Sequence, residues 1–259
     1  MRRLVALLAA ASIAGGSAHA KPPPARIAAT VDTRTARLGQ PTELALRLQV
    51  RPPHSPVRSI SVRYPRGWNL ATSGLGADEC KRPASDFVAV LLDLPLDGLA
   101  GCPRNAIIAR GRARAQVRIP GMTLPQTALL TLLAGPLERD QLRLVVLAEG
   151  INPFGLLLAF QGQLKPAAAP WAGTITLDIP QIAPSKLPYD GATFALVDVS
   201  LILADRRIVY HDPHGVRYHP PGIELPTRCP PHGWRFRADL HYLDGTRSTA
   251  TTRLPCPRP

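Results

Sequence analysis

Lysine, acidic residues and aromatics are all scarce in this chain. Of its 259 residues, 18 are Asp or Glu, 5% are aromatic, and 4 of the 31 basic residues are Lys, the other 27 being Arg. Charged residues make up 19% and hydrophobic ones 45%. That balance excludes the polar, highly charged composition of a disordered chain and the Glu- and Lys-rich composition of a coiled coil. Past the N-terminus no stretch offers the 18 or more apolar residues that read as a membrane-spanning helix. Cys-x-x-Cys spacing is missing, which argues against a structural zinc site. There is no Gly-x-Ser-x-Gly elbow, no phosphate-cradling glycine loop, no dinucleotide fingerprint and no repeat of fixed period. Nucleic acid is disfavoured as a partner by the few aromatics and by the lack of a recognition helix or stacking platform. With 29 Pro and 20 Gly, helices of more than a few turns have little room.

The N-terminus carries a clear signal. Arg2 and Arg3 precede an uncharged, mostly apolar run over 4–14, and Ala18-His19-Ala20 is a small-x-small cleavage site. This reads as a signal peptide over residues 1–20, too short to span a bilayer, with the mature chain starting near Lys21. No Cys follows the apolar run, so lipid attachment is not expected. A Pro-rich leader over 21–26 then leads into one domain over 27–259, with a subdomain boundary placed near 135–140. The even set Cys80, Cys102, Cys229 and Cys256 fits an oxidising compartment. Three pairings are open; the two local ones, Cys80–Cys102 and Cys229–Cys256, are preferred.

From Ile27 onward the dominant period is two. Leu44, Leu46, Leu48 and Val50 alternate with polar neighbours, as do Ile60, Val62 and Tyr64; Ala113, Ala115, Val117 and Ile119; Ile175, Leu177 and Ile179; and Trp234, Phe236, Ala238, Leu240 and Tyr242. Each such run is a strand with one buried and one wet face. The more apolar segments 127–134, 142–148, 156–164 and 192–203 are expected to be strands buried on both sides. A helical turn is allowed over 87–92, after Ser85-Asp86 as N-cap. The fold class is therefore all-β, expected as an antiparallel, Ig-like β-sandwich with little helix and room for two packed β-subdomains.

The last hairpin can be taken to its register. A two-residue Asp244-Gly245 turn would put arginines on the apolar face. A three-residue loop with Gly245 left-handed pairs Tyr242 with Thr246, Ala238 with Ala250 and Trp234 with Leu254, and keeps one face apolar. Cys229 and Cys256 then lie just outside the open end, where a disulfide would clamp it.

Several motifs together resemble exported β-rich proteins of Actinobacteria. They are Thr72-Ser73-Gly74-Leu75 followed by Cys80; Gly101-Cys102-Pro103 followed by Gly111-Arg112-Ala113-Arg114-Ala115; Gly135-Pro136 between apolar strands; and the ending Cys229-Pro230, Gly233-Trp234, Tyr242-Leu243-Asp244-Gly245 and Pro255-Cys256. The resemblance runs from about Ser55 to the end, with a longer, more apolar insertion at 88–97. It implies a β-rich fold and an exported location, and no activity.

The formal net charge is +13. An Arg, Ala, Leu and Pro excess is also what a GC-rich genome writes into any protein, so the arginines have a compositional explanation beside a functional one. The functional one is a polyanion site. Arg110, Arg112, Arg114 and Arg118 share one face of one strand, about 7 Å apart per two residues, a spacing suited to anionic groups along an extended polymer. His211, His214 and His219 are weak metal candidates whose spacing matches no common catalytic site. His241 faces outward from the last hairpin. Ser73 lacks the first glycine of a nucleophile elbow. Neither Asp93 with Asp97 nor Glu138 with Asp140 forms a recognisable glycosidase pair. No catalytic residue and no cofactor are assigned. The expectation is an exported, non-enzymatic binding or structural protein with an anionic cell-surface polymer as partner. The second reading is a secreted hydrolase or metal-dependent enzyme on an all-β scaffold.

Overall fold

The computed structural model describes residues 25–31, 36–51, 55–68, 70, 76–82, 90–91, 99, 101–153, 155–180 and 193–257. The segment expected to be a signal peptide (1–20), the expected leader up to residue 24, Ser73, Ser85, Asp86, Asp93 and Asp97 lie outside them.

In chain order the first strands are β1 (Ala25–Val31), β2 (Pro41–Thr42), β3 (Leu44–Val50), β4 (Val57–Pro65) and β5 (Val90–Leu91). A 3-10 turn at Arg104–Ala106 leads into four long strands: β6 (Ile107–Ile119), β7 (Met122–Glu138), β8 (Gln141–Asn152) and β9 (Leu156–Pro166). Then come β10 (Trp171–Asp178), β11 (Thr193–Leu203), β12 (Tyr210–His211), β13 (Arg217–Tyr218), β14 (Ile223–Glu224), β15 (Trp234–Tyr242) and β16 (Arg247–Leu254). The alternating runs, Ile179 apart, and the described residues of the four apolar segments are strands. The helical turn expected over 87–92 is replaced, at its two described residues, by β5: Val90 and Leu91 pair with Leu157 and Leu156 of β9.

All the long strands belong to one antiparallel sheet in the order β1-β3-β11-β6-β7-β8-β9-β10-β4-β15-β16. β1 also packs along β16, so the two ends of that order come together. The result is barrel-like, in place of the two face-to-face sheets expected from half-wet strands. Alternation requires only that one face be covered, and a sheet curled on itself covers that face as well as a second sheet does. Residues near 135–140 lie within one sheet. Gly135-Pro136 falls at a register shift of β7, where a proline without N–H does not interrupt the ladder. Arg139 and Asp140, at φ 47° and 64°, form the tight turn joining β7 to β8. The last hairpin adopts the three-residue loop: Trp234 pairs with Leu254 and Ala238 with Ala250. Tyr242 N–H donates to Thr246 O at 3.0 Å, and Gly245 takes φ +80°.

The interior is filled unevenly along the barrel axis. At the end where β15 begins, Trp68 meets Trp234 and Phe236 edge to face, each at 5.4 Å, among fully buried Leu44, Ile223 and Leu225. Toward the other end, a row of paired inward residues crosses the sheet as Leu48, Val199, Ala113, Ala128 and Gly150, on β3, β11, β6, β7 and β8. Its last three members are small, and a cavity of about 290 Å³, open at its rim, lies beside them.

A second, smaller core lies outside the barrel wall. Cys80, Cys102, Ile208 and Tyr210 pack on the outward side chains of Leu133, Val145 and Leu147. This cover is why 144–148 is buried on both faces. The Tyr210 hydroxyl donates to Ile107 O at 2.5 Å and accepts from Gly76 N–H at 3.0 Å. Gly76 needs to be glycine: its φ is +67°, and a Cβ there would stand 2.4 Å from that of Ala134. Both local disulfides are formed, Cys80–Cys102 here and Cys229–Cys256 beside the base of the last hairpin.

Candidate functional site

The outer face of β1, β3, β11, β6, β7 and β8 carries a groove of about 860 Å³. Two cross-strand rows form its floor. One runs Ala28, Arg47, Ser200, Arg112, Leu129, Glu149; the next runs Thr30, Ala45, Ile202, Arg110, Thr131. These residues face outward because their neighbours in sequence, such as Leu46, Leu201 and Ala113, pack against the inner core. Arg104, in the 3-10 turn before β6, and Arg207, in the loop after β11, also line it.

Five arginines therefore surround this floor, and Glu149 is the one carboxylate among the described lining residues. Two of the five are already engaged. Arg47 Nε donates to Asp198 Oδ2 at 2.9 Å, and Gln49 adds a second donor to the same oxygen at 3.0 Å. Arg207 grips both carboxylate oxygens of buried Asp205, its closest approach being 2.6 Å. Burial would push the Asp205 carboxyl up. The hydrogen bonds from the Arg207 side chain and backbone, with the charges of Arg207 and Arg110, outweigh that and hold it below its ordinary value. Arg104, Arg110 and Arg112 have no carboxylate in ion-pair range among the described residues. Strand geometry sets Arg110 and Arg112 about 7 Å apart along β6, and Arg47 about 10 Å from Arg112 across two strands. Guanidinium groups on that grid, over an apolar floor, can bind successive carboxylate, sulfate or phosphate groups bidentately.

The expected arginine row is thus split. All four members lie on β6, but only Arg110 and Arg112 line the groove. Arg114 points toward Asp198, 3.6 Å away, and shares that carboxylate with Arg47. Arg118 pairs across to Thr193 and Thr123, beyond the groove. Arg47, Arg104 and Arg207 were missed. Arg47 had a signal in the outward positions of β3; the other two, outside the strands, are brought in by the fold, with no periodicity to mark them.

The histidines do not converge. His211 pairs with Arg217 in the short β12–β13 hairpin, and His219 Nδ1 lies 2.9 Å from Ile208 O. Around His214, the Asp212 carboxylate accepts the backbone N–H groups of His214 and Val216, an ordinary turn arrangement. Among the described residues no three His, Cys, Asp or Glu side chains come together as a metal site. His241 lies on the outer side of β15, opposite Arg247 and Ser59. Glu138 and Asp140 are exposed at the β7–β8 turn. No family model, no curated protein and no solved structure matches the chain.

Proposed function

We propose that this is a non-enzymatic binding protein of an oxidising, extracytoplasmic compartment, and that its outer groove takes the anionic groups of an extended polymer. The observation that carries the reading is the imbalance inside the groove: three guanidinium groups, Arg104, Arg110 and Arg112, with no carboxylate in ion-pair range among the described residues, within one concavity of about 860 Å³. An arginine excess due to composition alone would be spread over the surface. Both disulfides fit the compartment. The residues that resemble exported actinobacterial β-proteins support the same location.

Heparin and lipoteichoic acid are suitable probes. Binding should be saturable and should weaken steeply from low to physiological salt, because exposed charges are screened over about 8–10 Å. Replacing Arg104, Arg110 and Arg112 together by Ser should weaken it at least tenfold. The same change at Arg66, Arg139 and Arg247, outside the groove, should weaken it no more than about twofold. Equal losses from both triple variants would leave net charge as the only determinant and remove the site.

A further inference from the structure

The inner side of the same wall has the opposite chemistry. The cavity of about 290 Å³ is lined, among the described residues, by no charged side chain. Its polar lining residues are Gln126, whose amide donates to Thr127 O at 2.9 Å, and, at the mouth, Thr193, which pairs with Arg118 of β6. A buried water needs two to four polar partners, so this is a space that water fills poorly. Six inward-facing apolar residues around it, Leu158, Phe160, Leu177, Phe194, Val199 and Leu201, are only half-buried, although their counterparts at the packed end are fully buried. Exposed Thr193 and Leu243 mark its rim.

We infer that this cavity binds hydrocarbon: an unbranched alkyl or acyl chain of about ten carbons, inserted past the rim with its polar end left at Thr193. The volume holds roughly ten water-sized or methylene-sized groups at ~30 Å³ each, which sets the chain length. The uncharged lining sets the class, because it offers nothing to neutralise a buried anion or cation. The small side chains of Ala113, Ala128 and Gly150 make the room, and the half-buried residues opposite them supply the contact. The cavity and the arginine groove lie on opposite faces of the sheet and share Leu130 and Leu201 in their linings; the inference rests on the uncharged lining and does not depend on the polyanion reading.

The test uses purified protein with both disulfides formed and N-phenyl-1-naphthylamine as fluorescent probe, displaced by n-alkanols of six to fourteen carbons. Probe fluorescence should rise on binding and fall on displacement. Alkanol affinity should increase about fourfold per methylene and level off near ten carbons. Decanol should compete at least as well as decanoate. Ala113→Phe, which fills the cavity, should weaken decanol at least tenfold while leaving heparin binding unchanged. Leu158→Ala, which enlarges it, should move the plateau to longer chains, and this keeps the test decisive if Ala113→Phe does not fold. Absence of probe binding by folded protein would overturn the inference. So would an affinity that rises without a plateau, a strong preference for decanoate that is lost with Arg112→Ser, or a plateau unmoved by Leu158→Ala.

Discussion

Where β15 begins, the barrel is closed by Trp68, Trp234 and Phe236 in edge-to-face contact, with Leu44, Ile223 and Leu225 around them. Where β15 ends, the same alternation of inward apolar residues continues, but Ala113, Ala128 and Gly150 stand in the row and the larger residues opposite do not reach across. The periodicity is identical at both ends; the side-chain volumes differ. Period two decides which way a residue points, and volume decides whether what it points into is a core or a cavity.

Truncation should separate the two ends most sharply. Trp234→Ala is expected to cost about 3–5 kcal/mol, because a fully buried aromatic leaves a hole that its neighbours cannot refill. Phe160→Ala, at a half-buried residue beside existing space, is expected to cost about 1–2 kcal/mol. Denaturant unfolding of both variants measures the difference, and equal losses would mean that the two ends are packed alike. Next in size is the bridge near the packed end. Replacing Cys229 and Cys256 by Ser opens a loop of sequence separation 27 and should cost about 3 kcal/mol if chain entropy dominates.

Acid should act through two carboxyls, one in the loop after β11 at the packed end and one on β15. Asp205 and Asp239 are both buried enough to be pushed up, but Arg207 holds the first and Arg237 and Thr249 hold the second below the ordinary value. A carboxyl whose folded pKa is depressed adds stability that is fully present above its unfolded value near about 4 and is lost as pH falls through the folded value. Unfolding midpoints should therefore drop below about pH 4. Asp205→Asn should flatten that drop while lowering stability at neutral pH. The smallest effect is expected at the groove. Replacing Arg112 by Ser should change stability by under about 0.5 kcal/mol, since it has no ion-pair partner among the described residues.

The strands were legible in the sequence because alternation is local: β3, β4, β6, β10 and β15 follow their apolar residues. The register of the last hairpin was legible too, since only the three-residue loop keeps Trp234, Ala238 and Ala250 on one face. The curling of the sheet was not. It depends on β11 pairing with β3 and β6, and β4 with β10 and β15, partners far apart in the chain whose choice no local pattern records. The groove was half legible. Arg110 and Arg112 stood out on β6, while Asp198, which withdraws Arg114 from the row, and Arg104 and Arg207, which join it, are positioned only by tertiary structure. The cavity has a faint signature in Gly111 and Ala113, where β3 offers Leu46 and Leu48 in the same rows. That contrast carries no meaning until β6 is known to lie beside β7 and β8.

The unequal filling of the barrel is tested most directly by xenon, which enters dry apolar cavities without needing a particular ligand shape. In methyl-resolved NMR of the purified protein under xenon pressure, shifts should be confined to methyl groups that line the cavity, such as those of Leu158, Leu177, Val199 and Leu201, with Leu44, Leu225 and Leu254 at the packed end unmoved. Shifts at neither end, or equal shifts at both, would contradict the account.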